Sequence, residues 1–490
     1  MATDASESRP SPPTRFGARR WLVLIMLCAS QFMVALDFSI VSVALPTIGR
    51  DLGFSSTADL QWVMTAFILF IAGFLLLFGR ASDLFGRRRL FLIGVALFTV
   101  FSLAGGLADT PWLLILARAG QGIGAAMVGP AAMSLLTTSF REGPERQKAL
   151  SVNGAVLMLG FIVGVISGGI ITGALSWRWT MLLLAIIGAI VFVAALALLE
   201  ESKDANAARL DVPGAVLATA GILSLVYGIS TGDSAGWDSP ATIGTLAGGV
   251  VLLGLFLFAE SRHPAPLAPL DVLRRRSVKW GGLAGFITFG MCGGATVLET
   301  LYMQDVLGWS PLRTGLSLIP LGGSAVIGGL IGNKVIGALG VPRALVCGLL
   351  LQAVATGLMT LLPEGGDFAL LIVTNIGLGF GHVTAVIAFN ITVTSGLPND
   401  KQGLAGGLAQ TAQQLGSAVW LPVLAAVVTA RTASLQGSGT TVSATTGGLH
   451  AGLLTAGLIA LFGALVATIF LRGRQTATAT AAPVTAGVND

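Results

Sequence analysis

Residues 79–89 read GRASDLFGRRR and lie between two apolar runs, 60–78 and 90–107, each of bilayer-crossing length. Gly79 and Gly86 permit a tight turn, and Asp83 stands where it can pair with an arginine or cap the next helix. Arg87, Arg88 and Arg89 hold the loop on the cytoplasmic side of a membrane. That rule explains the arginines but not the spacing of Gly79, Asp83 and Gly86. A latch between helix ends explains both.

The rest of the chain is built like the surroundings of this loop. Of 490 residues, 54% are hydrophobic and 10% charged, with a mean hydropathy of +0.85. A soluble domain carries about 25% charged residues, so a soluble enzyme is excluded. Apolar runs at 21–45, 60–78, 90–107, 112–136, 149–175 and 179–199 form a first block of six spans. The stretch EESKDANAARLD (200–211) interrupts, then two spans follow at 212–230 and 240–259. After ESRHPAPLAPLDVLRRRSVK (260–279) come six more, at 280–304, 312–333, 343–362, 368–394, 402–430 and 448–471. The expectation is an all-α integral membrane protein with 14 transmembrane helices arranged 6+2+6. Its parts are a disordered tail at 1–20, a six-helix bundle at 21–200, a two-helix insert with connectors at 201–279, a second bundle at 280–471 and a disordered tail at 472–490.

Net charge is +5 and pI about 9.5, and the placement of the basic residues accounts for both. Arg15, Arg19, Arg20, Arg80, Arg87 to Arg89, Arg141, Arg146, Lys148, Arg274 to Arg276 and Lys279 all fall on one side. The opposite loops hold Arg50, Arg178, Arg313 and Arg431, so both termini are expected in the cytoplasm and a nucleic-acid partner is not. Trp21, Trp112, Trp177, Trp179, Trp280 and Trp309 sit near span ends, as interfacial anchors do. Cys28, Cys292 and Cys347 have neither metal-ligand nor paired spacing, and His263, His382 and His450 form no metal motif. No phosphate-binding G-x4-G-K-[ST] occurs, so no nucleotide or other cofactor is expected and a gradient must supply the energy.

The segments DLGFSSTADLQWVMTAFILF (51–70) and DVLGWSPLRTGLSLIPLGGS (305–324) share a layout, each followed by a glycine-led loop, GRASDLFGRRR or the weaker GNKVIGALGVPR. Repeated halves around a midplane site are a common build for secondary transporters.

The chain resembles the major facilitator superfamily, and within it the branch of 14-spanning drug:proton antiporters. Residues 79–89 resemble the superfamily signature G-x-x-x-D-x-x-G-R-[RK]. LDFSIVSVALPTI (36–48), RAGQGIGAAMVGPA (118–131), MQDVLGWSPLRTGLSLIP (303–320) and GLAQTAQQLG (407–416) resemble motifs of the branch, and the likeness covers about 20–471. It implies the major facilitator fold, two pseudo-symmetric bundles, and antiport of drugs or antibiotics against protons across a bacterial plasma membrane. In the fifth span the antiporter motif G-x3-G-P-x2-G-G is incomplete: Gly160, Gly164, Gly168 and Gly169 are present, but Val165 replaces the proline. Small residues at this spacing still allow close helix approach, as a gating interface or as packing.

Ionisable residues within spans are costly and point to function. Asp37 and Arg118 stand at depths of about 12 and 9 Å at 1.5 Å per residue, so they can meet. A desolvated carboxylate holds its proton and a nearby guanidinium releases it, which makes the two a candidate coupling pair or, alternatively, a static tie. Glu299 is the second carboxylate, able to take a proton, attract a cation or snorkel to water. His382 is a titrating or a packing histidine; Gln121, Asn375, Gln410, Gln413 and Gln414 offer neutral hydrogen bonds to a cavity. Phe70, Phe74, Met127, Phe286, Met291 and Phe389 can line an adaptable apolar pocket. The expected partners are the lipid bilayer, protons and a small amphipathic substrate, cationic ones included, and the expected state is a monomer. A nutrient importer or facilitator on the same fold is the competing expectation.

Overall fold

The computed structural model describes residues 16–55, 57–140, 144–201, 211–263, 270–395, 399–436 and 440–471. Residues 1–15 of the tail expected at 1–20, the tail expected at 472–490, and 202–210 and 264–269 within the two connectors lie outside these residues. The described chain is helical: α1 (Phe16–Leu52), α2 (Thr57–Phe85), α3 (Arg87–Gly106), α4 (Pro111–Ser139), α5 (Pro144–Ala174), α6 (Arg178–Leu198), α7 (Val212–Ala235) and α8 (Pro240–Glu260). Then follow α9 (Leu270–Leu273), α10 (Arg276–Leu301), a π-helical turn (Tyr302–Val306), α11 (Pro311–Ser317), α12 (Ile319–Leu339), α13 (Val341–Met359), α14 (Phe368–Thr394), α15 (Asn399–Leu435) and α16 (Thr441–Leu471). In lipid each backbone N–H and C=O needs a partner within its own helix, which is why apolar runs this long adopt no other form. Their starts carry the usual signals: Thr110, Ser239 and Ser310 accept the N–H three residues on, each just before a proline, and Asp367 accepts that of Leu370.

Among the described residues, 12 helices are long and apolar enough to cross a membrane, and shorter apolar stretches are Asp59–Leu75 and Leu159–Ala174. These two stretches fall on the second and fifth expected spans. Several helices run past the expected apolar spans, α2 to Phe85 and α16 from Thr441 among them, and two boundaries have a local cause. The first helix starts at Phe16, inside the expected tail, where Arg19 reaches Glu200 at 2.7 Å. The span expected at 312–333 is broken at Leu318, because Pro320 in the first turn of α12 has no N–H to extend α11.

Packing follows one plan twice. α1 runs along α5 and α6, α3 along α4 and α6, and α2 along α4; α10 runs along α15 and α16, α13 along α14 and α16, and α12 along α14. Between the sets, α2 lies against α15, and α5 against α11 and α12. α7 pairs with α8 and also touches both α2 and α15. One apolar core continues through both sets, from Met33 and Ile40 to Met291 and Leu298. Leu22, Ile25, Val100, Leu330 and Phe462 are exposed on the outside, where lipid tails are the solvent.

Most of the expected tryptophan anchors are at least half-buried or exposed, but Trp177 is not an anchor. It is buried, and its Nε1 donates to Asp51 Oδ2 at 2.7 Å while Arg178 lies over its ring. The sequence signal for an interfacial residue cannot tell an outward ring from one folded under a neighbouring loop.

Candidate functional site

Arg118 faces inward from α4, seven residues after its first residue Pro111, and is 0% exposed, as is Asp37 on α1. Its Nη1 donates to Asp37 Oδ1 at 2.6 Å and Oδ2 at 2.8 Å, and to Gln121 Oε1 at 2.9 Å. Its Nε donates to the Val63 carbonyl of α2 at 2.9 Å, and the guanidinium lies 4.2 Å from the Phe67 ring centroid. Gln121 Nε2 donates in turn to Ser102 Oγ of α3 at 2.7 Å. Four helices thus converge on one cation. The pair is not a fork-to-fork arrangement, since a single nitrogen serves both carboxylate oxygens and Nη2 is unpartnered.

The second half places its carboxylate differently. Glu299 on α10 is 0% exposed, so it does not snorkel to water. Asn375 on α14 donates through Nδ2 to Glu299 Oε1 and to the Leu371 carbonyl, while Glu299 Oε2 and Asn375 Oδ1 have no partner. Deeper in this half, Gln352 Nε2 of α13 donates to Thr288 Oγ1 at 2.6 Å, and Thr288 meets His382 Nδ1 at 3.4 Å. The His382 ring sits edge-on to Phe289 with centroids 5.0 Å apart. The predicted residues Asn375 and His382 therefore belong to two separate polar clusters. Gln410 is exposed, and Gln413 and Gln414 are half-buried on α15, apart from both.

The glycines of α5 divide by neighbour. A Cβ on Gly160 would meet the Phe32 carbonyl at 2.8 Å, one on Gly164 the Leu36 carbonyl at 2.8 Å and Ser39 Oγ, and one on Gly168 the Ile40 carbonyl at 2.8 Å. These three pack α5 on α1 within one half. Of the four expected glycines, Gly169 faces the other half, where a Cβ would lie 2.7 Å from the Pro311 carbonyl and 3.1 Å from Leu312 Cα. The expected gating stripe is thus one interfacial residue and three packing residues.

Residues 79–89, expected as a loop, are helical apart from Gly86, which is the break between α2 and α3, and their contacts stay within their own half. Gly86 has φ +109°, which favours glycine, and its missing Cβ leaves room for the Glu201 carboxylate. Glu201 accepts the Arg88 backbone N–H at 3.2 Å and lies 3.6 Å from Arg89 Nε, capping the start of α3; Arg88 Nη2 donates to the Leu196 carbonyl. Gly79 is half-buried, and the side chain of Asp83 lies outside the described residues.

Sequence reasoning missed four participants: Val63, through its carbonyl, Gln352, Glu201 and Gln304. The last donates to the Val43 carbonyl at 2.9 Å across the two halves, from within the π-helical turn. Its signal was available, since Gln304 lies in MQDVLGWSPLRTGLSLIP (303–320), one of the stretches that resemble the branch.

The helix plan agrees with comparisons to known proteins. The model of the Major Facilitator Superfamily matches residues 27–421. The chain belongs to that superfamily. Among curated relatives, the puromycin resistance protein pur8 of Streptomyces alboniger is 38% identical over 438 residues, covering 88% of this chain and 86% of that one. The cephamycin export protein CmcT of Amycolatopsis lactamdurans is 40% identical over 416 residues, covering 82% and 84%. A solved POT family transporter, PepTSo, shares the fold with a TM-score of 0.67 at 16% identity, covering 92% of this chain and 97% of that one. As a member of the Major Facilitator Superfamily, the chain is a multi-pass transporter of small molecules in a lipid bilayer, and not an enzyme.

Proposed function

We propose that the protein exports amphipathic drugs or antibiotics from a bacterial cell in exchange for protons, by alternating access. The observation that carries this is the pair of fully buried carboxylates, Asp37 and Glu299, one on the first helix of each half, in a chain similar to resistance and export proteins. In this reading the halves 21–200 and 280–471 rock about a central cavity, and both termini face the cytoplasm of the plasma membrane. Arg118 holds Asp37 in one state and leaves it in another, so that the carboxylate takes a proton when its cation departs. Glu299, with one oxygen held by the Asn375 amide and the other unpartnered, is the second receiver of positive charge, as a proton or a cationic substrate. Gln304 and Gly169 seal the end of the bundle away from Gly86 in the described conformation. Residues 79–89, around the Gly86 break between α2 and α3, act as the latch at the cytoplasmic end in the opposite one. No cofactor is required.

The test is movement of a lipophilic-cation dye in proteoliposomes under an imposed pH gradient, comparing wild type with Asp37→Asn. Dye movement opposite to protons, lost in the variant with binding retained, is the expected result. Gradient-driven dye transport at the wild-type rate in Asp37→Asn removes Asp37 from coupling, and dye movement in the same direction as protons replaces export with import.

A further inference from the structure

Away from Gly86, where α2, α7 and α15 converge, four buried side-chain atoms have no hydrogen-bond partner: Gln61 Nε2 and Oε1, Thr65 Oγ1 and Ser230 Oγ. Gln61 and Thr65 are 2% and 1% exposed, and their four-residue spacing puts them on one face of α2. Together with Ser230 of α7 and Trp62, Pro422 and Ala425 they line a cavity of about 10 Å³ at the size of a water molecule. A bare amide or hydroxyl in an apolar interior is costly, and a polar cavity of this size with several hydrogen-bonding groups is what a buried water occupies. Pro422 has no N–H, so the Ala418 carbonyl one turn earlier in α15 also lacks its helical donor.

We propose that this junction is a binding site for a single water molecule that bridges Gln61 and Thr65 of α2 to Ser230 of α7, and that it makes the insert part of the seal between the two halves. α7 is fastened to α2: Thr219 Oγ1 donates to the Gly73 carbonyl, and the Trp62 and Tyr227 rings lie 5.8 Å apart. On the α15 side the cavity wall is Pro422 and Ala425, which offer no side-chain hydrogen bond. α2 and α7 therefore move together, and α15 parts from a wetted surface, exchanging the bridging water with bulk water as that end opens. The water site stands on geometry alone, whereas the sealing role rests on the transport reading.

Structure determination in lipid nanodiscs, at a resolution that resolves ordered water, tests the site. A compact peak within hydrogen-bond reach of the Gln61 amide and Ser230 hydroxyl is expected. Gln61 turned to a protein partner with no peak overturns the proposal, and density continuous with an acyl chain replaces water with a lipid headgroup. For the seal, the Gln61→Leu/Ser230→Ala variant should transport several-fold more slowly with substrate binding unchanged, because a dry junction separates less readily; wild-type rates overturn that role. Should the variant fail to fold, radiolytic hydroxyl labelling of the wild type decides the site. Labelling of Trp62 and Pro422 at rates typical of water-contacting residues supports it, and rates typical of dry core refute it.

Discussion

Asp37 on α1 and Glu299 on α10 occupy the same helix in the two repeated halves, and each meets the matching partner helix at a matched point. Arg118 and Asn375 both stand seven residues into their helices, after Pro111 and Phe368. One scaffold thus carries two electrostatic solutions. In the first half the carboxylate is neutralised by a guanidinium that is itself held by a carbonyl, an amide and an aromatic face. In the second it is met by a neutral amide, and one oxygen is left without a partner. Buried charge is tolerated when paired, so the first half is stable as it stands while the second calls for a positive partner from outside.

The largest expected effect is in the charged half. Arg118→Ala leaves Asp37 buried without its cation and should cost about 3–5 kcal/mol, read by thermal unfolding in detergent. Asp37→Asn combined with Arg118→Gln should recover much of it, and a single variant as stable as wild type would mean the pair is not a tie. Next come the glycines. Gly164→Ala should destabilise the fold by about 1–3 kcal/mol, since its Cβ meets the Leu36 carbonyl and Ser39. Gly169→Ala, whose clash lies between the halves, should instead raise the accessibility of cysteines placed at that end; equal unfolding losses would erase the distinction between packing and sealing. In the second half Glu299→Gln keeps an oxygen for Asn375 and should change stability by less than about 1 kcal/mol. It should abolish gradient-driven transport while leaving substrate exchange intact, and unchanged driven transport would remove Glu299 from coupling. The smallest effect is Glu201→Gln, where weakening a partly exposed cap on α3 should cost about 0.5–1 kcal/mol by thermal unfolding.

Much of this was legible in the residues because a bilayer permits few solutions. Span length, the side taken by Lys and Arg, and the rarity of intramembrane charge single out Asp37, Arg118 and Glu299 from the residues alone. Other features were hidden for identifiable reasons. Val63 contributes a backbone carbonyl, which no residue type announces. Glu201 lies 113 residues from Arg88, in a connector read only as a charged interruption. The glycine stripe of α5 has one spacing but two neighbours, and spacing reports the face of a helix, not what packs there. Trp177 has the position of a membrane anchor and the environment of a core residue.

The sequence by itself determined the membrane class, the helical form and the repeated plan, because lipid forces backbone groups to pair within each helix and excludes unpaired charge. Only the tertiary structure decided which carboxylate has a cation and which has an amide, which glycine lies between the halves, and that α7 joins α2 to α15. Those facts depend on which helix faces are brought together by packing between segments far apart in the chain, and local composition does not encode that choice.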